Sequence, residues 1–422
     1  MQYLLDKRVI KSKNGVNIHL IDTNRYRNYA IYFSFVLPDD LYKTAAFTIL
    51  KEMLKDSCQA YPDKASFKRY KNLLYYASID AYITPVYDKK VLEIQYDFID
   101  PQYVEDITLK DLLNFIDETL FRPNLNENNF KENVKLVKQS FLRDLDKPRF
   151  YGFMRTLDIL SEDNESFKSY NLEYVSYLDK LTFKDILDAY QVLLHNLELN
   201  IYLIGRLSDE LIDYFINLDF MYYKGDFKPP VSNSYVDKGL IIEDKNISQS
   251  SLNVSYKLKY DSLIDGKRYY SFMVGLSLLG LLPSSLLFME VREKLSLCYS
   301  INVMNYKKEG IFIIGISYSY KNNEELLRQI DIQLNRLIDG DYDSKQLEST
   351  KNLLISSYIT NKDEADSIHK HYLSYDVMHM NIPFEEFLDN LRKVTKEDIA
   401  EVFEGSRHLL THIVKENESN RE

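Results

Sequence analysis

Apolar residues in this chain fall into two kinds of run, and the runs recur in the same order twice. Each half opens with two strand-like segments. In the first half these are Val16-Asn-Ile-His-Leu-Ile and Tyr29-Ala-Ile-Tyr-Phe-Ser-Phe-Val-Leu; in the second they are Leu240-Ile-Ile-Glu and Ser251-Leu-Asn-Val-Ser-Tyr-Lys-Leu. Alternating, β-branched and aromatic residues of this kind suit half-buried strands. A helical pattern follows in each half, Thr44 to Lys55 and Tyr269 to Leu282.

Next comes a hairpin. Ala81-Tyr-Ile-Thr-Pro leads through Tyr87-Asp-Lys-Lys to Val91-Leu-Glu-Ile-Gln-Tyr, and Cys298-Tyr-Ser-Ile-Asn-Val leads through Lys307-Lys-Glu-Gly to Ile311-Phe-Ile-Ile-Gly-Ile. Helices then pair off: Val104 to Leu120 with Asn323 to Ile338, and Asn126 to Asp144 with Ser344 to Thr360. In Asn126 to Asp144, Phe130, Val134, Val137 and Phe141 form one amphipathic stripe. Each half closes on a strand, Leu199-Asn-Ile-Tyr-Leu-Ile-Gly and Leu409-Leu-Thr-His-Ile-Val. The pattern predicts an α+β protein of two homologous αβ halves, each a mostly antiparallel or mixed sheet with helices packed on one face. The expected boundaries are 1–225 and 239–422, with a linker over 226–238 where Pro229 and Pro230 oppose regular structure.

Composition narrows the function. With 45% hydrophobic and 28% charged residues, the 422-residue chain can bury a core in each half. Its net charge is -11, and no Lys/Arg cluster stands clear of Asp and Glu. Nucleic acid and anionic lipid are therefore not expected partners. Ser271 to Met289 lacks charge, but Pro283-Ser-Ser breaks it, so a buried helix and turn are expected rather than a membrane span. The start, Met1 to Arg8, carries charge where a secretory signal needs an apolar run. With two unpaired cysteines, Cys58 and Cys298, the expected location is cytoplasmic.

Most catalytic chemistry is missing. The seven histidines are 19, 195, 369, 371, 379, 408 and 412, and the gap from His19 to His195 excludes any HxxEH or HExxH motif in the first half. His408-Leu-Leu-Thr-His412 has zincin spacing without the glutamate base, and it lies in the predicted closing strand. His369-Lys-His371 sits in a polar helical stretch beside Asp363, Glu364 and Asp366 and is expected on a solvated face. No GxSxG, P-loop or GxGxxG is present; Gly275-Leu-Ser-Leu-Leu-Gly280 reads as a helix-packing pattern. Cys58 and Cys298 read as structural thiols.

One dense segment remains, Leu279-Gly-Leu-Leu-Pro-Ser-Ser-Leu-Leu-Phe-Met-Glu-Val-Arg-Glu-Lys-Leu-Ser-Leu-Cys-Tyr-Ser. On composition alone, Arg292 is a partner of Glu290 or Glu293, and Tyr299 is one tyrosine among 35. The segment resembles a block of the pitrilysin/insulinase (inverzincin) superfamily, written Ser-Ser-x-Leu-Phe-x-x-Val-Arg-Glu-Lys-x-Gly-Leu-x-Tyr-Ser. Gln249 upstream, Asn14-Gly-Val-Asn-Ile, Leu120-Phe-Arg-Pro with Phe130, and Ile204-Gly205 are also similar to family landmarks, so the resemblance spans essentially the whole chain.

The resemblance implies a clam-shell of two halves, and it implies an absence. Active members carry His-x-x-Glu-His on the first helix, whereas the matching stretch here, Lys43 to Asp56, has no histidine and only Glu52. The resemblance therefore implies no metal and no cofactor in this chain. Zinc is expected in a homologous partner subunit, with a peptide as substrate and Arg292 and Tyr299 as substrate-binding residues. It points to the zinc-less partner of Gram-positive bacteria associated with elongation factor P 5-aminopentanol modification, and related pairs mature peptides. The alternative is a structural or peptide-holding module; an independent metallopeptidase would have to use His369, His371 or His379. Alone, the chain could form a homodimer.

Overall fold

The computed structural model describes residues 7–86, 89–163, 172–221, 223, 235–260, 263, 266–360, 364–377 and 382–416. Contacts divide the chain into two compact units. The first comprises Met1–Gln139, Glu173–Phe227 and Asn361–Ile382, and the second Ser140–Leu172, Lys228–Thr360 and Pro383–Glu422.

The first unit holds a six-stranded sheet made of β1 (Arg8–Lys11), β2 (Asn17–Asp22), β3 (Asn28–Val36), β4 (Ser78–Val86), β5 (Lys89–Ile99) and β6 (Glu198–Gly205). The order is β1-β2-β6-β3-β5-β4. The second unit holds β7 (Leu240–Lys245), β8 (Ser250–Lys257), β9 (Cys298–Tyr306), β10 (Ile311–Tyr318) and β11 (Arg407–Glu416), in the order β7-β11-β8-β10-β9. Without β1 the two orders are the same. In each, the closing strand pairs in parallel with the opening one, β2 with β6 and β7 with β11, and the remaining pairs are antiparallel. The duplicated mixed-sheet fold expected from the hydrophobic pattern is present.

The helix before each closing strand repeats too. Leu181-Thr-Phe-Lys-Asp-Ile and Val394-Thr-Lys-Glu-Asp-Ile both build a capping box, Thr182 with Asp185 and Thr395 with Asp398. Each threonine hydroxyl accepts from the N3 amide while the N3 aspartate accepts from the cap amide, so two orphan helix donors are satisfied. Gly275 and Gly280 hold the close packing their spacing suggested: a Cβ would meet the Phe403 ring at 2.3 Å and Val303 Cγ2 at 2.5 Å.

The strands differ from the expectation of half-burial. β8 and β10 are buried along their whole length and β3 nearly so. The reason lies outside each sequence half. One face of the first sheet packs on its own helices, among them Leu41–Asp56 and Phe183–His195. The other face is covered by helix Ala365–Asp376, whose Ile368 and Leu373 pack with Ala30, Tyr32, Tyr202 and Ile204. Reciprocally, helix Pro148–Ser161 covers β8, β10 and β11 of the second unit through Leu157, Ile159 and Leu160. The two sequence halves thus exchange one helix each. Burying Ile368 and Leu373 contributes about 3–6 kcal/mol to seating that helix.

Gly152 sets how closely the second exchanged helix approaches its sheet. A Cβ there would lie 2.5 Å from Ser251 Oγ and 2.9 Å from Ser251 Cβ. In a free helix, Gly→Ala gains up to about 1 kcal/mol from propensity. Overpacking opposes this, so Gly152→Ala is expected to destabilise the protein by roughly 1–3 kcal/mol in urea unfolding; a net gain would show that the contact relaxes freely.

Candidate functional site

Helix Leu41–Asp56 carries the stretch where the resemblance would have placed a zinc motif. It starts at Asp40, whose carboxylate caps the Lys43 amide at 2.8 Å, and it buries Phe47, Ile49, Leu50, Met53 and Leu54. Its half-buried face presents Lys51, Glu52 and Lys55. Glu52 pairs with Lys51 and, at 2.9 Å, with Lys55, which also reaches Asp80 at 3.4 Å. Burial alone would raise the Glu52 carboxyl, but the two ammonium groups outweigh it and hold the group below its ordinary value. The carboxylate is thus neutralised by cations, and a dication would meet two like charges at this position. These residues do not fit a catalytic zinc site.

The other candidate histidines are committed elsewhere. His408 bonds Asp237 at 2.9 Å and Thr411 at 2.8 Å, and His412 is buried against Thr156 at 2.9 Å. His369 is not on a solvated face: the exchanged helix presses it, fully buried, against the first sheet. Asp363 and His379 lie outside the described residues. Among the described residues, no group of three or more His, Cys, Asp or Glu is placed to hold a metal. Cys58 is buried, and burial pushes the Cys298 thiol up to about 11 against the charge of Arg292, so neither is an activated nucleophile.

Arg292 and Tyr299 lie on one continuous segment at the edge of the second sheet. Arg292 is in a π-helical turn, Phe288–Lys294, and Tyr299 is near the start of edge strand β9. Lys294 takes Glu290 at 2.8 Å, which leaves Arg292 with Glu293 at 4.0 Å and the Phe288 ring, 4.8 Å from its guanidinium carbon. The Arg292 side chain is 42% exposed and Tyr299 is 58% exposed. Neither makes a conventional hydrogen bond among the described residues.

Three backbone irregularities shape this segment. The π turn closes through the Leu295 amide to Glu290 O at 3.0 Å. Ser296 follows at φ 50°, the left-handed region. Then Ser317 pairs with Ser300 while Tyr318 pairs with Cys298, which makes Tyr299 the extra residue of a β-bulge. π turns and bulges recur beside functional sites because they re-aim side chains. The sequence could not show these features, although serine at the position of the family's glycine was a signal.

Residues 180–354 match the family described as Peptidase M16 inactive domain. Over 423 residues the chain is 22% identical to a protein named "Probable inactive metalloprotease YmfF" from Bacillus subtilis (strain 168), covering 97% of this chain and 98% of that one. In fold it is similar to a conserved protein from Enterococcus faecalis V583 (TM-score 0.87, 22% identity, 97% and 99% coverage). It is also similar to a peptidase M16 inactive domain from Pseudomonas fluorescens (TM-score 0.76, 12% identity, 98% and 99% coverage). These findings support a zinc-less M16, that is pitrilysin-type, chain. Among the described residues no helix is long and apolar enough to cross a membrane.

A left-handed serine costs on the order of 1 kcal/mol that glycine avoids, and Ser296 is exposed. Ser296→Gly is therefore expected to stabilise the second unit by about 0.5–1 kcal/mol in thermal unfolding; a loss would mean that the serine side chain holds the turn.

Proposed function

We propose that this chain is the non-catalytic subunit of a heteromeric cytosolic peptidase, in which Arg292 and Tyr299 bind and polarise a peptide that a zinc-bearing homologous subunit cleaves. The observation that supports this reading is that the bulge leaves Tyr299 exposed on the same segment as an exposed Arg292, whose carboxylate partner Glu293 is 4.0 Å away. Donors left unpaired at a surface are available to a ligand.

The chemistry of the two groups supports it. A tyrosine hydroxyl can donate to the scissile carbonyl oxygen, where negative charge develops. A guanidinium can hold a neighbouring peptide carbonyl or a carboxylate with its fork of donors. The zinc of the partner supplies the activated water. The Lys51–Glu52–Lys55 cluster supports a metal held by the partner rather than by this chain. The two free cysteines fit a reducing compartment, and peptide maturation is the process this pairing suits.

In the reconstituted pair, Tyr299→Phe is expected to lower kcat/KM by about 100-fold, the scale of losing one oxyanion donor. Arg292→Ala is expected to lower it at least as much, through substrate binding. Sedimentation should show both pairs intact. Unchanged turnover in both variants would leave the chain a structural or peptide-holding module.

A further inference from the structure

Ser34, Glu93 and His369 are each fully buried where helix Ala365–Asp376 covers the first sheet. The His369 ring stacks on Tyr32 with centroids 3.8 Å apart and meets Tyr202 edge-on at 4.7 Å. Its Nε2 lies 3.1 Å from Ser34 Oγ, and its Nδ1 lies 3.2 Å from Glu93 Oε2. Serine, histidine and glutamate in this order resemble a nucleophile relay. However, the histidine rides on the covering helix, so lifting that helix to admit a substrate would dismantle the relay. The trio is not a hydrolytic site.

We propose that Glu93 and His369 form a proton-balanced clasp: a single proton held by the buried pair seats the exchanged helix, and it moves from the carboxyl to the imidazole when the helix lifts. Seating is thereby insulated from acid. The proposal is independent of any role for Arg292 and Tyr299.

Burial drives both groups toward neutrality. It pushes His369 well below its ordinary value, helped by the charges of Lys370 and His19. It pushes Glu93 up to about 7, against the charge of Lys370. His369 Nδ1 and both Glu93 oxygens are buried without a hydrogen-bond partner and face each other across 3.2 Å, while Nε2–H can donate to Ser34 Oγ. On the helix itself Asp366 pairs with Lys370 at 2.6 Å. From the sheet, Tyr82 donates to Asp366 at 3.2 Å, and Asp97 takes Gln95 at 2.7 Å. At the helix end, Tyr202 donates to Asp376 at 2.8 Å, His19 lies 3.4 Å from the same carboxylate, and Lys7 pairs with it.

The two linkages have opposite signs. The folded value of His369 is depressed, so its contribution to seating is present above its ordinary 6.5 and lost as pH falls. The folded value of Glu93 is raised, so its contribution is present below its ordinary 4.5 and lost as pH rises through about 7. Between pH 4.5 and 6.5 the seated pair holds one proton, on Glu93, and the lifted pair holds one, on His369. The two slopes cancel. His19, itself lowered by burial, adds a common background to the wild type and to Glu93→Gln.

Hydrogen exchange of the amides of 365–376 in the full chain, corrected for intrinsic exchange, tests this from about pH 6.5 to pH 5. One uncompensated proton changes an equilibrium by about tenfold per pH unit. Relative to wild type at each pH, Glu93→Gln is expected to raise helix opening by about that factor per unit of acidification, and His369→Phe to lower it by about that factor. Variant curves parallel to wild type overturn the proposal. Because either substitution could prevent folding, ring-nitrogen NMR of His369 in the wild-type chain gives a second reading. A ring in one protonation state across that range is expected; an ordinary titration near 6.5 overturns the clasp.

Discussion

The structure depends on covering both faces of a twisted sheet with the helices of a duplicated chain. β3, β8 and β10 are enclosed on both sides, so both of their faces have to be covered by helices. Each unit meets this need with one helix supplied from the other half of the sequence. The consequences are local and specific. Gly152 allows close approach to Ser251, and Thr156 reaches His412. In the first unit His369, on the covering helix, meets Ser34 and Glu93 of the sheet.

The parts of this arrangement set by local pattern were legible in the sequence. Strand alternation and hairpin spacing are short-range, and with the repeat they yield two mixed sheets of one plan; the strand order itself comes from the structure. The missing zinc motif is equally legible, because it needs only the absence of histidine from residues 43–56. Exchange is not legible in this way. Helix Pro148–Ser161 and helix Ala365–Asp376 look like further members of a helical run, and nothing within them records which sheet they will cover. His369 illustrates the cost: its polar neighbours Lys370 and Asp366 suggested a solvated face, while the ring itself is fully buried.

The candidate site divides in the same way. The residue types Arg292 and Tyr299 could be found by their resemblance to a family block. Their presentation could not, because it depends on a π turn, a left-handed Ser296 and a bulge at Tyr299. None of these has a reliable signature in one sequence. On the first-unit helix, Lys51 and Lys55 surround Glu52, while Arg292 and Tyr299 are left exposed at the edge of the second sheet. The proposed role, a subunit that holds a peptide for a metal-bearing partner, rests on that combination.

Affinity purification of this chain from its native source, with mass spectrometry of what accompanies it, tests that reading most directly. The account predicts a near-stoichiometric homologous chain carrying His-x-x-Glu-His, and zinc that travels with that chain alone. Recovery of this chain by itself with stoichiometric zinc and peptidase activity of its own would contradict it.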